Sequence, residues 1–142
     1  NWNLGIDEGL LNKFYDQLVD NWSKTLNQFF MLQLIGSNNR KEIMAGLHKT
    51  FINKTPPRIK SLKLALKILN NTDLTKTISN IKVPTIIISG DNDRLTPKNA
   101  SLFMHNKIKN SRLKVFKNTG HIPFLSHPKD FLKEVLYSFN DK

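Results

Sequence analysis

The sequence predicts an α/β protein in which a helical half precedes a short parallel sheet, and two observations support this fold class. Apolar residues recur at helical spacing through residues 1–80, whereas residues 81–142 alternate short β-branched runs with helical patterns. Strands that alternate with helices are typical of parallel strand–helix–strand units. We therefore divide the chain into a helical domain, residues 1–80, and a strand–helix–strand–helix domain, residues 81–142.

Four helices are expected in the first domain. Asp7 is the expected N-cap of the first helix, Gly36 ends the second, the third covers about residues 38–51, and Pro57 starts the fourth. The apolar face of the first helix contains Leu10, Leu11, Phe14 and Leu18, and that of the second contains Leu26, Phe29, Phe30, Leu32 and Leu34. The third helix has Ile43, Leu47 and Phe51 on its apolar face, and the fourth has Ile59, Leu62, Leu66 and Leu69.

Two strands, each followed by a helix, are expected in the second domain. The run Val83–Ile88 is short and β-branched, which is typical of a buried parallel strand, and Leu113–Phe116 is the second strand. Pro97 and Pro128 open the two helices. Two strands alone do not form a stable sheet, so the missing neighbours are expected from an absent N-terminal half or from a second copy of the chain.

The charge of the chain limits the kind of macromolecule it could bind. The chain has 22 basic and 11 acidic residues, and residues 21–70 hold nine basic residues against one acid. This excess of positive charge has two possible explanations. One is a composition biased toward lysine, and the other is electrostatic steering of an acidic protein partner. Nucleic acid is not expected, because no aromatic residue lies within the lysine-rich residues 57–70. The sequence has no long apolar run, so no membrane span is expected, and it has no cysteine, so no disulfide is expected. Nothing resembles a signal peptide, and the cytoplasm is the expected location.

A carboxylate and an imidazole follow the two predicted strands. Asp93 comes after the first strand and His121 after the second. Because parallel strands end at one edge of the sheet, the carboxylate can accept the Nδ1 proton of a histidine that acts as a general base. Asp91 is the rival carboxylate, and either aspartate could instead only form a turn. His48 and His105 are expected on helix surfaces and His127 at a helix entry.

The nucleophile of such a triad is not found in the sequence. No Gly-x-Ser-x-Gly pattern occurs, so this stretch by itself is not expected to catalyse. The chain begins with asparagine rather than methionine, which favours a processed chain, an excised domain or an incomplete sequence.

Two motifs resemble the C-terminal part of the α/β-hydrolase fold. They are Val83–Pro97, read as VPTIIISGDNDRLTP, and Gly120–Phe131, read as GHIPFLSHPKDF. The resemblance covers nearly the whole chain and is most specific to the pimeloyl-[acyl-carrier protein] methyl ester esterases of biotin synthesis. It implies a serine carboxylesterase without metal or cofactor, in which Asp93 and His121 are catalytic, the helical domain is a four-helix lid, and an absent N-terminal part supplies the nucleophile.

The resemblance also assigns substrate-binding residues in the lid. Lys24 and Lys41 keep a positive charge where the family has arginines that dock the acyl-carrier protein, whereas Gln28 and Ala45 do not. Phe29 matches an aromatic residue that faces the acyl chain, although ordinary helix packing also explains it. Another lidded hydrolase (a lipase, a C–C bond hydrolase or a dehalogenase) and a basic helical module that binds an acidic protein are the alternative functions.

Overall fold

A computed structural model describes residues 4–6 and 8–140 of the chain. The predicted N-cap Asp7 therefore lies outside the described parts. The elements in order are α1 Glu8–Asp20, α2 Trp22–Gln33, α3 Arg40–Leu47 with a π-helical turn His48–Ile52, α4 Ile59–Asn71, a 3₁₀ turn Ile78–Asn80, β1 Thr85–Gly90, α5 Lys98–Lys107, β2 Ser111–Phe116, α6 Pro123–Ser126 and α7 Pro128–Asn140.

The third predicted helix is not a single α-helix. It begins at Arg40 and changes to the π-helical turn at His48. Within this wider turn Ile52 is buried with 4% of its surface exposed, whereas Phe51 is 50% exposed. The Nε2 atom of His48 also lies 2.9 Å from the side-chain oxygen of Asn27 on α2. The apolar periodicity did not show this change of pitch, which occurs where the chain packs against α2.

Part of the predicted apolar surface of the helical half is exposed. Leu62 and Leu66 of α4 are half-buried, but Ile59 and Leu69 are 56% and 62% exposed. Leu32 of α2, expected to be buried, is also exposed. α4 packs against α1, and only Leu62 and Leu66, in the middle of the predicted face, are partly covered.

The two strands are parallel neighbours. Thr85 pairs with Ser111 and the register continues to Gly90 and Phe116. The first strand begins two residues later than predicted, since Val83 is 66% exposed and Pro84 has no amide to donate. It is also less buried than expected, because β1 has a paired neighbour only on its β2 side among the described residues.

The two halves of the chain share one core cluster. Leu34 at the end of α2, Leu47 of α3 and Ile122 in the loop after β2 are all buried, and Phe30, Ile43 and Met44 pack against them. The helical half therefore contacts the loop after β2 directly. No helix of the described residues is long and apolar enough to cross a membrane.

Candidate active site

The loops that follow β1 and β2 leave the sheet side by side. The amide of Asp91 donates to the carbonyl of Phe116 at 3.0 Å, and the amide of Asn92 donates to the carbonyl of Thr119 at 2.9 Å. Gly90 allows this close approach, because a Cβ there would lie 2.7 Å from the carbonyl carbon of Thr119 and closer still to its oxygen. The parallel register thus brings the Asp93 and His121 segments to one edge of the sheet.

The Asp93 carboxylate has four hydrogen-bond donors. Its Oδ1 atom accepts from the amides of Leu95 and Thr96 at 2.8 and 2.9 Å. Its Oδ2 atom accepts from the Thr96 hydroxyl at 2.7 Å and lies 2.8 Å from Nδ1 of His121. Burial alone would raise the pKa of Asp93, but the bonds from His121, the Thr96 hydroxyl and the two amides outweigh it, so the pKa lies below the ordinary 3.8.

The hydrogen bonds of His121 determine its tautomer. A carboxylate can only accept, so Nδ1, which faces Asp93, holds a proton. In the neutral ring the free lone pair is then on Nε2, the atom that a general base uses. Within the described part of the chain Nε2 has no hydrogen-bond partner, and the side chain is 34% exposed. The pair can therefore accept a proton from a group that approaches Nε2.

The backbone of His121 is held by the helical half. Its amide donates to the carbonyl of Gln33, the last residue of α2, at 2.8 Å. A Cβ on Gly120 would lie 2.9 Å from the carbonyl carbon of Gln33 and closer to its oxygen, so only glycine fits this approach. Neither the Gln33 contact nor the Thr96 hydroxyl was found from the sequence. The Asp-x-x-Thr spacing of Asp93 and Thr96 could have predicted the hydroxyl contact, because Asp and Thr side chains often form hydrogen bonds within turns.

Asp91, the rival carboxylate, has a different position. Its Oδ1 atom accepts from the amide of Thr119 at 3.2 Å and from the side chain of Asn92 at 3.1 Å. It has no hydrogen bond to His121 among the described residues. Asp91 therefore ties the two loops together, and Asp93 is the carboxylate that contacts His121.

The other three histidines form hydrogen bonds outside the Asp93–His121 pair. His48 contacts Asn27, and Nδ1 of His105 lies 2.9 Å from the hydroxyl of Ser111. Both residues are partly exposed, and each has a side-chain contact that the sequence did not predict. His127 precedes α7 as predicted, and its carbonyl accepts the amide of Phe131 at 2.9 Å.

The three predicted substrate-binding residues lie on the helical half. Lys24 and Lys41 are exposed on α2 and α3. Phe29 is half-buried, with its ring centroid 4.9 Å from that of Phe14 and 6.1 Å from that of Phe30. In the described residues none of the three has a hydrogen bond, ion pair or ring contact with Asp93 or His121. No group of three or more potential metal ligands is present among those residues either.

Comparison with known proteins identifies relatives. A family model described as the alpha/beta hydrolase fold matches residues 7–128. The pimeloyl-[acyl-carrier protein] methyl ester esterase of Nitrosomonas europaea is 34% identical over 92% of this chain and 52% of that protein. The enzyme of the same name from Wigglesworthia glossinidia brevipalpis is 32% identical over 94% of this chain and 52% of its own length. The chain thus spans about half the length of these relatives.

Solved structures agree on the fold. An esterase from Exiguobacterium antarcticum superposes with a TM-score of 0.84 at 20% identity, over 96% of this chain and 50% of that one. A bromoperoxidase from Bacillus anthracis superposes with a TM-score of 0.82 at 19% identity, also over 96% and 50%. With the family match over residues 7–128 and this agreement in structure, the chain belongs to the α/β-hydrolase family.

Proposed function

We propose that the chain supplies the acid and the base of a serine carboxylesterase that hydrolyses the methyl ester of a pimeloyl group held on an acyl-carrier protein. The single observation that supports the reaction type best is the 2.8 Å contact between Asp93 and His121, which leaves Nε2 free. The names of the relatives at 32–34% identity support the substrate. A cytoplasmic location and the absence of a metal, a cofactor and nucleic acid stay predictions.

The reaction follows from the protonation of His121. A serine outside residues 1–142 attacks the ester carbonyl while Nε2 takes its proton, and the ring becomes an imidazolium that Asp93 stabilises. The imidazolium then gives the proton to the methoxide oxygen, which leaves as methanol. Nε2 then deprotonates a water that attacks the acyl-enzyme, and the imidazolium returns this proton to the serine oxygen as the free acid is released. The low pKa of Asp93 suits this role, because the carboxylate stays charged while the ring gains and loses a proton.

The helical half, residues 1–80, is proposed to be the lid and to bind the substrate. Its nine basic residues against one acid over residues 21–70 suit an acidic carrier protein, and the exposed Lys24 and Lys41 are proposed to contact it. Phe29 is proposed to face the acyl chain. The Phe29 ring contacts the rings of Phe14 and Phe30, and Phe30 packs against the core cluster that contains Ile122, the residue after His121.

Substitution of the pair tests the proposal in a protein that contains the nucleophile. On the pimeloyl methyl ester, His121→Ala is expected to lower kcat by roughly 10⁶-fold and Asp93→Asn by roughly 10⁴-fold. The matched control Asp91→Asn is expected to change kcat only a few-fold, because Asp91 does not contact His121. Residues 1–142 alone are expected to be inactive on short acyl esters. Full activity of His121→Ala, or turnover by residues 1–142 that is lost in His121→Ala, would contradict the proposal.

A further inference from the structure

The Thr96 side chain lies between the two members of the pair. Its Oγ1 atom is 2.7 Å from Oδ2 of Asp93 and 3.2 Å from Nδ1 of His121. We propose that Thr96 is a positioning residue, whose hydroxyl holds the Asp93 carboxylate and the His121 ring in the orientation that leaves Nε2 free. The catalytic meaning of this inference rests on the proposed function, but the contacts do not.

The single hydroxyl proton has one favourable acceptor. A distance of 2.7 Å to a carboxylate oxygen is within the range of charge-assisted O–H···O⁻ bonds, which are about 2.5–2.7 Å long. The Thr96 proton is therefore donated to Asp93, and the Oγ1 lone pairs remain for Nδ1 of His121. Both oxygen neighbours of Nδ1 are then acceptors. This arrangement disfavours the tautomer with a bare Nδ1, which would put the free lone pair on the wrong nitrogen.

Thr96 also holds the carboxylate through contacts that do not involve His121. Three of the four donors to Asp93 come from Leu95 and Thr96, two and three residues after it in the chain. The two amides occupy Oδ1, and the hydroxyl holds Oδ2 on the side where His121 lies. Without the hydroxyl, Oδ2 would keep only the imidazole as a donor, and the ring would lose its second acceptor.

Two substitutions of Thr96 and one control test the inference. Thr96→Val removes the hydroxyl at nearly constant shape, and Thr96→Ser keeps it. Thr72→Val is the matched control, because Thr72 is also exposed and its hydroxyl donates to the backbone carbonyl of Ile68 at 2.6 Å, outside the site. The measurements are the titration of the Asp93 carboxyl carbon and the Nδ1 proton resonance of His121 by NMR, together with kcat for ester hydrolysis in a protein that contains the nucleophile.

Thr96→Val is expected to move the Asp93 titration to higher pH, to weaken the Nδ1 resonance, and to lower kcat about tenfold. Thr96→Ser is expected to restore all three, and Thr72→Val to change none. A Thr96→Val titration like that of the unsubstituted protein would overturn the inference, and so would a Thr96→Ser variant that behaves like Thr96→Val. The titration needs no turnover, so the inference can fail while His121→Ala still abolishes hydrolysis. Conversely, an active His121→Ala variant would refute the proposed function and leave the titration result standing.

Discussion

Replacement of Gly120 by alanine is expected to destabilise the protein by about 2–6 kcal/mol. The new Cβ would lie 2.9 Å from the carbonyl carbon of Gln33 and 3.0 Å from the carbonyl oxygen of Ile35, with the Gln33 oxygen closer still. One backbone segment must therefore move by roughly 1 Å, and such overpacking costs about 1–3 kcal/mol. The movement also breaks the 2.8 Å bond from the His121 amide to Gln33, and an unsatisfied buried group costs about 1–3 kcal/mol more.

The matched control is Gly46→Ala. Gly46 lies within α3, nothing is present within 4 Å of an added Cβ, and alanine in a helix is about 0.5–1 kcal/mol more favourable than glycine. The two alanines are therefore expected to act with opposite sign. Since Gly120 does not have a positive φ, its effect reports the contact with α2 and not backbone strain.

Urea unfolding followed by tryptophan fluorescence measures the difference. With a slope of about 2 kcal/mol/M, a loss of about 4 kcal/mol lowers the midpoint by about 2 M, whereas Gly46→Ala raises it by a few tenths of a molar unit. Equal midpoints for the two variants would refute the reasoning, because they would mean that α2 does not press on the loop of His121.

Three further predictions concern stability and carrier binding. The low pKa of Asp93 gives a stabilisation that is fully present above the ordinary value of 3.8 and is lost as the pH falls through the folded-state pKa. The difference in unfolding free energy between the protein and Asp93→Asn should therefore shrink on acidification. Urea titrations at a series of pH values measure this difference. Leu34→Ala should cost about 2–5 kcal/mol in thermal or urea unfolding because Leu34 is fully buried, whereas Leu69→Ala, 62% exposed, should cost well under 1 kcal/mol. Lys24→Glu combined with Lys41→Glu should raise KM for the carrier-bound ester about tenfold and leave KM for a free short ester unchanged; equal effects on the two esters would refute the docking role.

The contact between Asp93 and His121 could be predicted because it depends on topology. Each residue follows a strand, and parallel strands end at one edge, so their loops meet. The exposure of Ile59 and Leu69 could not be predicted, because periodicity identifies an apolar face but not whether a neighbour covers it. The same holds for Gln33, whose contact with His121 is made by a backbone carbonyl that no side-chain pattern records.

The bond from His121 to the end of α2 restricts how the helical half can move. If α2 pivoted as a rigid body about its first turn, the carbonyl of Gln33 would be drawn away from the base, and the buried Leu34 would leave its contact with Ile122. An opening that preserves the base must therefore use the end of α2 as its fixed point, with α1 and α4, which has no buried residue, moving away from it. Hydrogen exchange is then expected to be fast in α4 and slow at the amide of His121.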